Sequence, residues 1–372
     1  MTMKNFILII VILCTIRLNI HSQQLAIPVS RAGNWGAINQ NGKWLIEPVY
    51  QGIKDFHNGV VLAKSEKGWN YVNTEGTVIS HNHPYLCQHD FSEGLARVQE
   101  NKKWGFIDVS GNYVIMPQFE GARDFSEGLA AVEQDSKWGY IDKSGKFMID
   151  PALESAWDFY CGIAIVMVSE TKQYMNRNGE ILPNPDNYEI HRGFRDNYAP
   201  VRKRDLWGFV DIQGNYIVKP VYEKADRFLN GLAPVKKSGR CGYINTLGEE
   251  VIPLTYEASK LFADNMALVR SDDKLYYLDV ATGQLLGVDQ PYTIRYYFSE
   301  GLARVFLVKK LGFINKFGEI VIECKYEDAR NFSNGLAAVK INGLWGFIDH
   351  KGTMVIEPQF DGVRYPDIVE EE

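Results

Sequence analysis

The chain has 372 residues, 45% of them hydrophobic and 13% aromatic, which is apolar material enough for a large core and excludes a disordered polymer. Its formal charge is −6, with acids and bases interspersed and no basic block. The electrostatic footprint of nucleic-acid binding is missing, so no nucleic-acid partner is expected.

The chain opens MTMKNFILIIVILCTIRLNIHSQQ. Lys4 precedes an apolar run over residues 6–13, a polar segment follows, and Ile20-His21-Ser22 sets a small residue before Gln23. This is the pattern of a secretory signal peptide, residues 1–22, cut after Ser22. The run is too short to anchor in a bilayer. A lipid-modified Cys14 is the alternative, and bulky Leu13 stands where such sites need a small residue. Residues 23–372 are then an exported domain without a transmembrane segment, extracytoplasmic in the periplasm, at the cell surface or outside. Export permits disulfides. Even so, Cys87, Cys161, Cys241 and Cys324 fall at different phases of the pattern described next, and they read as small hydrophobes.

From Trp35 onward one phrase recurs. Its starts are Trp35, Trp69, Trp104, Trp138, Lys172, Trp207, Cys241, Leu275, Leu311 and Trp345, giving about ten units of 34–36 residues. The next residue is glycine in seven copies, for instance Gly139. Four residues after the start comes Asn or Asp in every copy, from Asn39 to Asp349, and Gly follows three later in nine. Asx-x-x-Gly between apolar runs is a turn signal: the Asx side chain caps the turn, and Gly accepts a positive φ. Each copy therefore predicts a β-hairpin.

A second marker, FSEGLA, begins at Phe91, Phe125 and Phe298, with FLNGLA at Phe228 and FSNGLA at Phe332. Its glycine predicts another turn, which launches a strand such as residues 129–133. Pro48, Pro117, Pro151, Pro220 and Pro358 share one place, where loss of a donor is expected to end strand pairing in a loop. One unit is three short strands, and no helix is predicted.

Both faces of such a sheet are apolar, so neighbouring units must cover each other. The expectation is that each large Trp rests on the small Gly and Ala of the next unit. The fold class is all-β, with tandem three-stranded antiparallel units stacked as an open β-solenoid or superhelix. Each unit is complete in sequence order and ten is a high blade number, which favours the open form over its alternative, a closed β-propeller.

The phrase Lys-Trp-Gly-Phe-Ile-Asp-x-x-Gly-x-x-Val-Ile-x-Pro resembles the WG, or KWG, repeat family of bacterial proteins. The resemblance runs from about Leu25 to Tyr365. It implies a β-rich repeat region, often exported or joined to other modules, and no shared catalytic residues. Lys172, Cys241, Leu275 and Leu311 depart from it, so their units are expected to pack less regularly.

His81-x-His83 followed by His89 is the candidate metal cluster, weighed against a polar surface insertion. Paired carboxylates such as Glu357 with Asp361, or Asp124 with Glu127, raise a glycosidase reading. They recur with the repeat, where turn capping suffices. No phosphate loop, nucleophile elbow or calcium loop is present, and no cofactor or catalytic residue is assigned. The expected function is a non-catalytic binding or scaffold module for protein or glycan partners. Its candidate contacts are the phased aromatics Tyr50, Phe119, Tyr222, Tyr256, Tyr326 and Phe360, with core packing as their other reading. The alternative is an envelope-associated hydrolase on a propeller-like scaffold.

Overall fold

Each Asx side chain does what the turn chemistry requires. Asp142 Oδ1 accepts the N–H groups of Ser144 and Lys146 at 2.9 and 3.0 Å, and Gly145 closes the turn at φ +86°. The computed structural model describes residues 25–79, 87–286, 290–294 and 296–364. Among these residues all regular structure is strand, arranged in ten small antiparallel sheets.

Blade 4 shows the full pattern. Its first strand is Gly121–Ala122, its second Leu129–Gln134, its third Lys137–Asp142 and its fourth Phe147–Leu153, paired in that order. The two-residue turn Glu127–Gly128 joins the first strand to the second with both residues left-handed, φ +52° and +79°. Ser126 and Leu129 exchange backbone hydrogen bonds across it, which makes it the hairpin turn that the FSEGLA phrase encodes. We call this turn the corner. The fourth strand, expected to end before the proline, instead contains it; the strand that sequence reasoning missed is the first, Gly121–Ala122. Pairing of Lys137–Asp142 with Phe147–Leu153 shifts register around Pro151, so the strand bulges past the missing donor and resumes instead of ending.

The sheets close into a ring, and the expected open solenoid is wrong. Gly362–Val363, near the end of the described chain, pairs antiparallel with Ile27–Arg31 and supplies the first strand of blade 1. Asp361 N–H donates to Ser30 O at 2.9 Å, and Arg364 N–H to Pro28 O at 3.0 Å. Ile27, Val29 and Ile38 of blade 1 then share a buried core with Ala338, Trp345, Phe347 and Phe360 of blade 10. An open array would leave these two faces in water. Blade 1 borrows its first strand across the whole chain, so the unit is not complete in sequence order. The architecture is a ten-bladed β-propeller.

Neighbouring blades do cover each other, but not by the expected contact. Trp138 lies over Gly121 of its own blade, where an added Cβ would stand 3.0 Å from the indole; Trp35 lies likewise over Gly362, at 3.4 Å. The indoles range in exposure from 40% at Trp69 to 5% at Trp345. The ring that bridges to the next blade is the aromatic two residues after the Trp position. Phe106 meets Phe125 at 4.8 Å, Tyr140 meets Phe159 at 4.7 Å, Phe209 meets Phe228 at 4.7 Å and Phe313 meets Phe332 at 5.0 Å between centroids. Tyrosines at this position also donate across the junction, as Tyr140 does to Trp157 O at 2.6 Å.

The blades repeat in threes. Trp69, Lys172 and Leu275 are spaced by two steps of 103 residues, and they open the third strands of blades 2, 5 and 8. Among the described residues, blades 2 and 5 have three strands and the fourth strand of blade 8 is Leu285–Leu286. In these blades alone the residue after the Trp position is not glycine: it is Asn70, Gln173 and Tyr276. The remaining seven glycines lie against the bulged fourth strand. Lys172 keeps its packing with polarity reversed. Lys54 stands over Trp69 and Arg330 over Trp345, whereas in blade 5 Lys172 stands over Trp157. That contact is kept although, among the described residues, the blade lacks a fourth strand.

Candidate functional site

The corners form a hydrogen-bonded ladder from blade to blade, which explains each letter of the FSEG phrase. The Phe is core. The Ser hydroxyl donates to the Phe carbonyl of the next corner: Ser92 to Phe125 O at 2.7 Å, Ser126 to Phe159 O at 2.6 Å, and Ser299 to Phe332 O at 2.7 Å. The acid accepts the N–H of the next corner's glycine. Glu93 bonds Gly128, Glu127 bonds Gly162, Asp196 bonds Gly231, Asp264 bonds Gly301 and Glu300 bonds Gly335, at 2.6–3.0 Å. A basic residue from the following blade's Asx turn completes several corners: Lys143 with Glu93 at 3.1 Å, Arg177 with Glu127 at 3.6 Å and His350 with Glu300 at 3.2 Å.

Three of the four carboxylates that suggested glycosidase chemistry are engaged in structural bonds, and Glu357 is exposed. Glu127 is the corner acid just described. Asp124 accepts Arg97 Nε at 2.8 Å, and the same guanidinium reaches Ala122 O at 2.5 Å and His89 Nδ1 at 3.1 Å. Asp361 accepts Gly33 N–H at 3.2 Å, as Glu120 accepts Ser136 N–H at 2.9 Å in blade 4. Near the Arg97 group lie two buried polar atoms that the sequence did not flag. Asp158 Oδ1 and Arg123 Nε are buried without a hydrogen-bond partner. Burial pushes the Asp158 carboxyl up, with Asp124 adding to the rise and Arg123 opposing it.

Tyr50, Phe119, Tyr222, Tyr326 and Phe360 are buried and Tyr256 is half-buried. Each closes the fourth strand against the start of the third, as Phe119 pairs with Trp104. The structure places them in the core. His89 is half-buried beside Trp104, and burial first, then Arg97, lowers its pKa. His81 and His83 lie outside the described residues. Among the described residues no group of three metal-ligating side chains comes together. Cys161, Cys241 and Cys324 are free thiols.

The ladder is interrupted at the ring's seam, as it is where Asn58, Cys161 and Asn230 stand in the acid's place. A cavity of about 630 Å³ opens there between blades 10, 1 and 2, lined by Ala26, Phe56, Asn58, Gly59, Thr74 and Arg364 among others. Blade 1 carries Ala37 at the bridging-aromatic position, so Phe56 meets a methyl group where other corner phenylalanines meet a ring, and it stays half-buried. No sequence signal announced this cavity, because it arises only when the two ends of the chain meet.

A closed ring of ten repeated blades with corners locked in series is the class this fold defines. The sequence profile described as WG containing repeat matches residues 35–69, 89–104, 104–138, 138–170, 174–207, 207–241, 242–274, 312–345 and 345–367. The chain belongs to the WG-repeat family. A comparison with curated proteins found no match. Among solved structures, the crystal structure of a eukaryotic initiation factor is similar at a TM-score of 0.51 and 10% identity, covering 80% of this chain and 94% of that one. That likeness concerns the fold alone. The extracellular domain of a putative hybrid two-component system from B. thetaiotaomicron aligns at a TM-score of 0.27 and 9% identity, covering 89% of this chain and 64% of that one.

Proposed function

We propose that this WG-repeat ring is an exported, non-catalytic scaffold that binds a protein partner. The observation that carries the reading is the use of the recurring carboxylates. Glu93, Glu127, Asp196, Asp264 and Glu300 all cap backbone N–H groups of the next blade, so they hold the ring and are not left to do acid–base chemistry. Blade 5 instead replaces its fourth strand with a connection, Pro183–Asn184–Pro185–Asp186, whose Pro183, Pro185 and Asp186 are exposed. Loops on a rigid frame are where recognition is usually carried. Burial of the phased aromatics removes the stacking platform that favoured a glycan. The test is cross-linking capture by full-length protein against a variant with residues 183–187 replaced by Gly-Ser. Loss of a captured partner with an unchanged melting temperature supports the reading; identical capture by both contradicts it.

One observation favours the second reading, an envelope hydrolase on the propeller. Asp158 has the raised pKa and unpartnered oxygen of a general acid. Turnover of any glycoside or ester substrate that is abolished in Asp158→Asn would establish it.

A further inference from the structure

The corner ladder shows what a corner glycine N–H binds. At five junctions it receives a carboxylate from the preceding corner, at 2.6–3.0 Å. Gly59, the corner glycine of blade 2, has the same local geometry. Asn58 and Gly59 are left-handed at φ +52° and +77°, against +52° and +79° for Glu127 and Gly128. His57 and Val60 exchange the same pair of backbone bonds as Ser126 and Leu129. The preceding blade in the ring is blade 1, whose first and second strands come from opposite ends of the chain, so among the described residues no corner turn joins them and none supplies an acid. The Gly59 residue lines the seam cavity instead.

The same cavity holds a cation. Arg364 lines it, anchored by its backbone to Pro28 O and by Nε to Asp55 Oδ1 at 3.4 Å. Its terminal nitrogens make no bond to another described residue. His57, Thr74 and Asn334 add polar groups to the wall, and Phe56 and Ala26 supply an apolar side. A backbone donor proven by its siblings to take carboxylates, a guanidinium on the same cavity and an apolar flank together define a ligand.

We propose that the seam cavity is a carboxylate-binding site built on the Gly59 N–H and the Arg364 guanidinium. It goes beyond the scaffold reading and stands on the corner geometry alone, so it survives if that reading fails. The carboxylate sits on a short flexible arm, as the corner glutamates do. Two sources carry that chemistry: a free acidic molecule, or the chain's own Glu370, Glu371 and Glu372, which follow Arg364 by a few residues.

The probe is N-acetylglutamate amide, titrated into the full-length protein while the Gly59 amide is followed by NMR, with N-acetylglutamine amide as control. A saturable downfield shift of Gly59 with the glutamate probe alone, weakened about tenfold in Arg364→Gln, supports a free ligand. The same shift appearing only in the Glu370→Gln, Glu371→Gln, Glu372→Gln variant supports the site with the tail as its occupant. A shift in neither protein, an equal response to the glutamine control, or undiminished affinity in Arg364→Gln overturns the proposal.

Discussion

Gly139 lies under the carbonyl of Ile149, so close that an added Cβ would stand 2.5 Å from that oxygen and 2.8 Å from Pro151 N. Gly105, Gly242, Gly312 and Gly346 stand in the same relation to Ile115, Ile252, Ile322 and Ile356. The glycine of the Trp-Gly pair therefore exists for the bulged fourth strand of its own blade. Gly139→Ala should destabilise the protein by about 1–3 kcal/mol in urea titration, because backbone and not a flexible side chain must yield. Gln173→Ala, at the same phase of a blade without that strand, should stay within about 0.5 kcal/mol. Equal effects of the two would refute the assignment.

The Tyr140 ring and hydroxyl both cross the junction to blade 5. Tyr140→Phe should cost about 1 kcal/mol, since the Trp157 carbonyl loses its donor. Tyr140→Ala should cost about 3–5 kcal/mol, by cavity formation beside Phe159. Thermal melts of both variants check the order; a milder alanine variant would contradict it.

The reversed pair in blade 5 makes a coupling prediction. Lys172→Ala and Trp157→Ala should show an interaction energy of about 0.5–1 kcal/mol in a double-mutant cycle. Exchanging the two residues, Lys172→Trp with Trp157→Lys, should restore most of the loss by rebuilding the arrangement of Lys54 with Trp69. Strict additivity of the single effects would show that the stacking contributes nothing.

Much of this was legible, and for physical reasons. An Asx side chain that caps its own turn needs only neighbours within four residues, so Asn39, Asp108 or Asp349 declare their turns locally. The repeat spacing gave ten units for the same reason. Closure was not legible, because Gly362–Val363 is two residues long and pairs with a strand over 300 residues away. The length of the fourth strand was hidden by Pro151, which reads as a terminator until the bulge around it is seen, and the first strand, Gly121–Ala122, is too short to leave a pattern. The indole was credited with the interblade contact that belongs to Phe106 or Tyr140, because both lie on one face and only tertiary packing separates them. The 103-residue period was in plain view at 69, 172 and 275, and it would have foretold the missing fourth strands.

Acid should weaken the ladder. Burial pushes Glu93 up, but the Lys143 bond and the Gly128 N–H outweigh it, and its pKa falls below the ordinary 4.5. A depressed folded-state pKa gives stability that is present above the unfolded-state value and lost as pH falls through the folded one. The urea midpoint should therefore drop as pH falls below about 4.5, and Glu93→Gln should flatten that drop. Asp158 acts with opposite sign. Its raised pKa is a penalty at neutral pH that fades as pH falls through the folded value. Asp158→Asn should raise stability at pH 7 and not at pH 3. A Glu93→Gln midpoint that drops as steeply as the wild type would contradict the first assignment, and an Asp158→Asn variant no more stable than the wild type at pH 7 would contradict the second.

Closure is tested most directly by one distance measured against an internal standard. Lys143 Nζ donates to the Glu93 carbonyl of the preceding blade at 2.9 Å, and Gln40 Nε2 donates to the Asn334 carbonyl at 3.2 Å in the same relation across the seam. Spin labels at 40 and 334, with the native cysteines replaced, should give the same short distance by pulsed EPR as labels at 143 and 93. A distance for 40 and 334 as long as a stack of ten open units would contradict the ring.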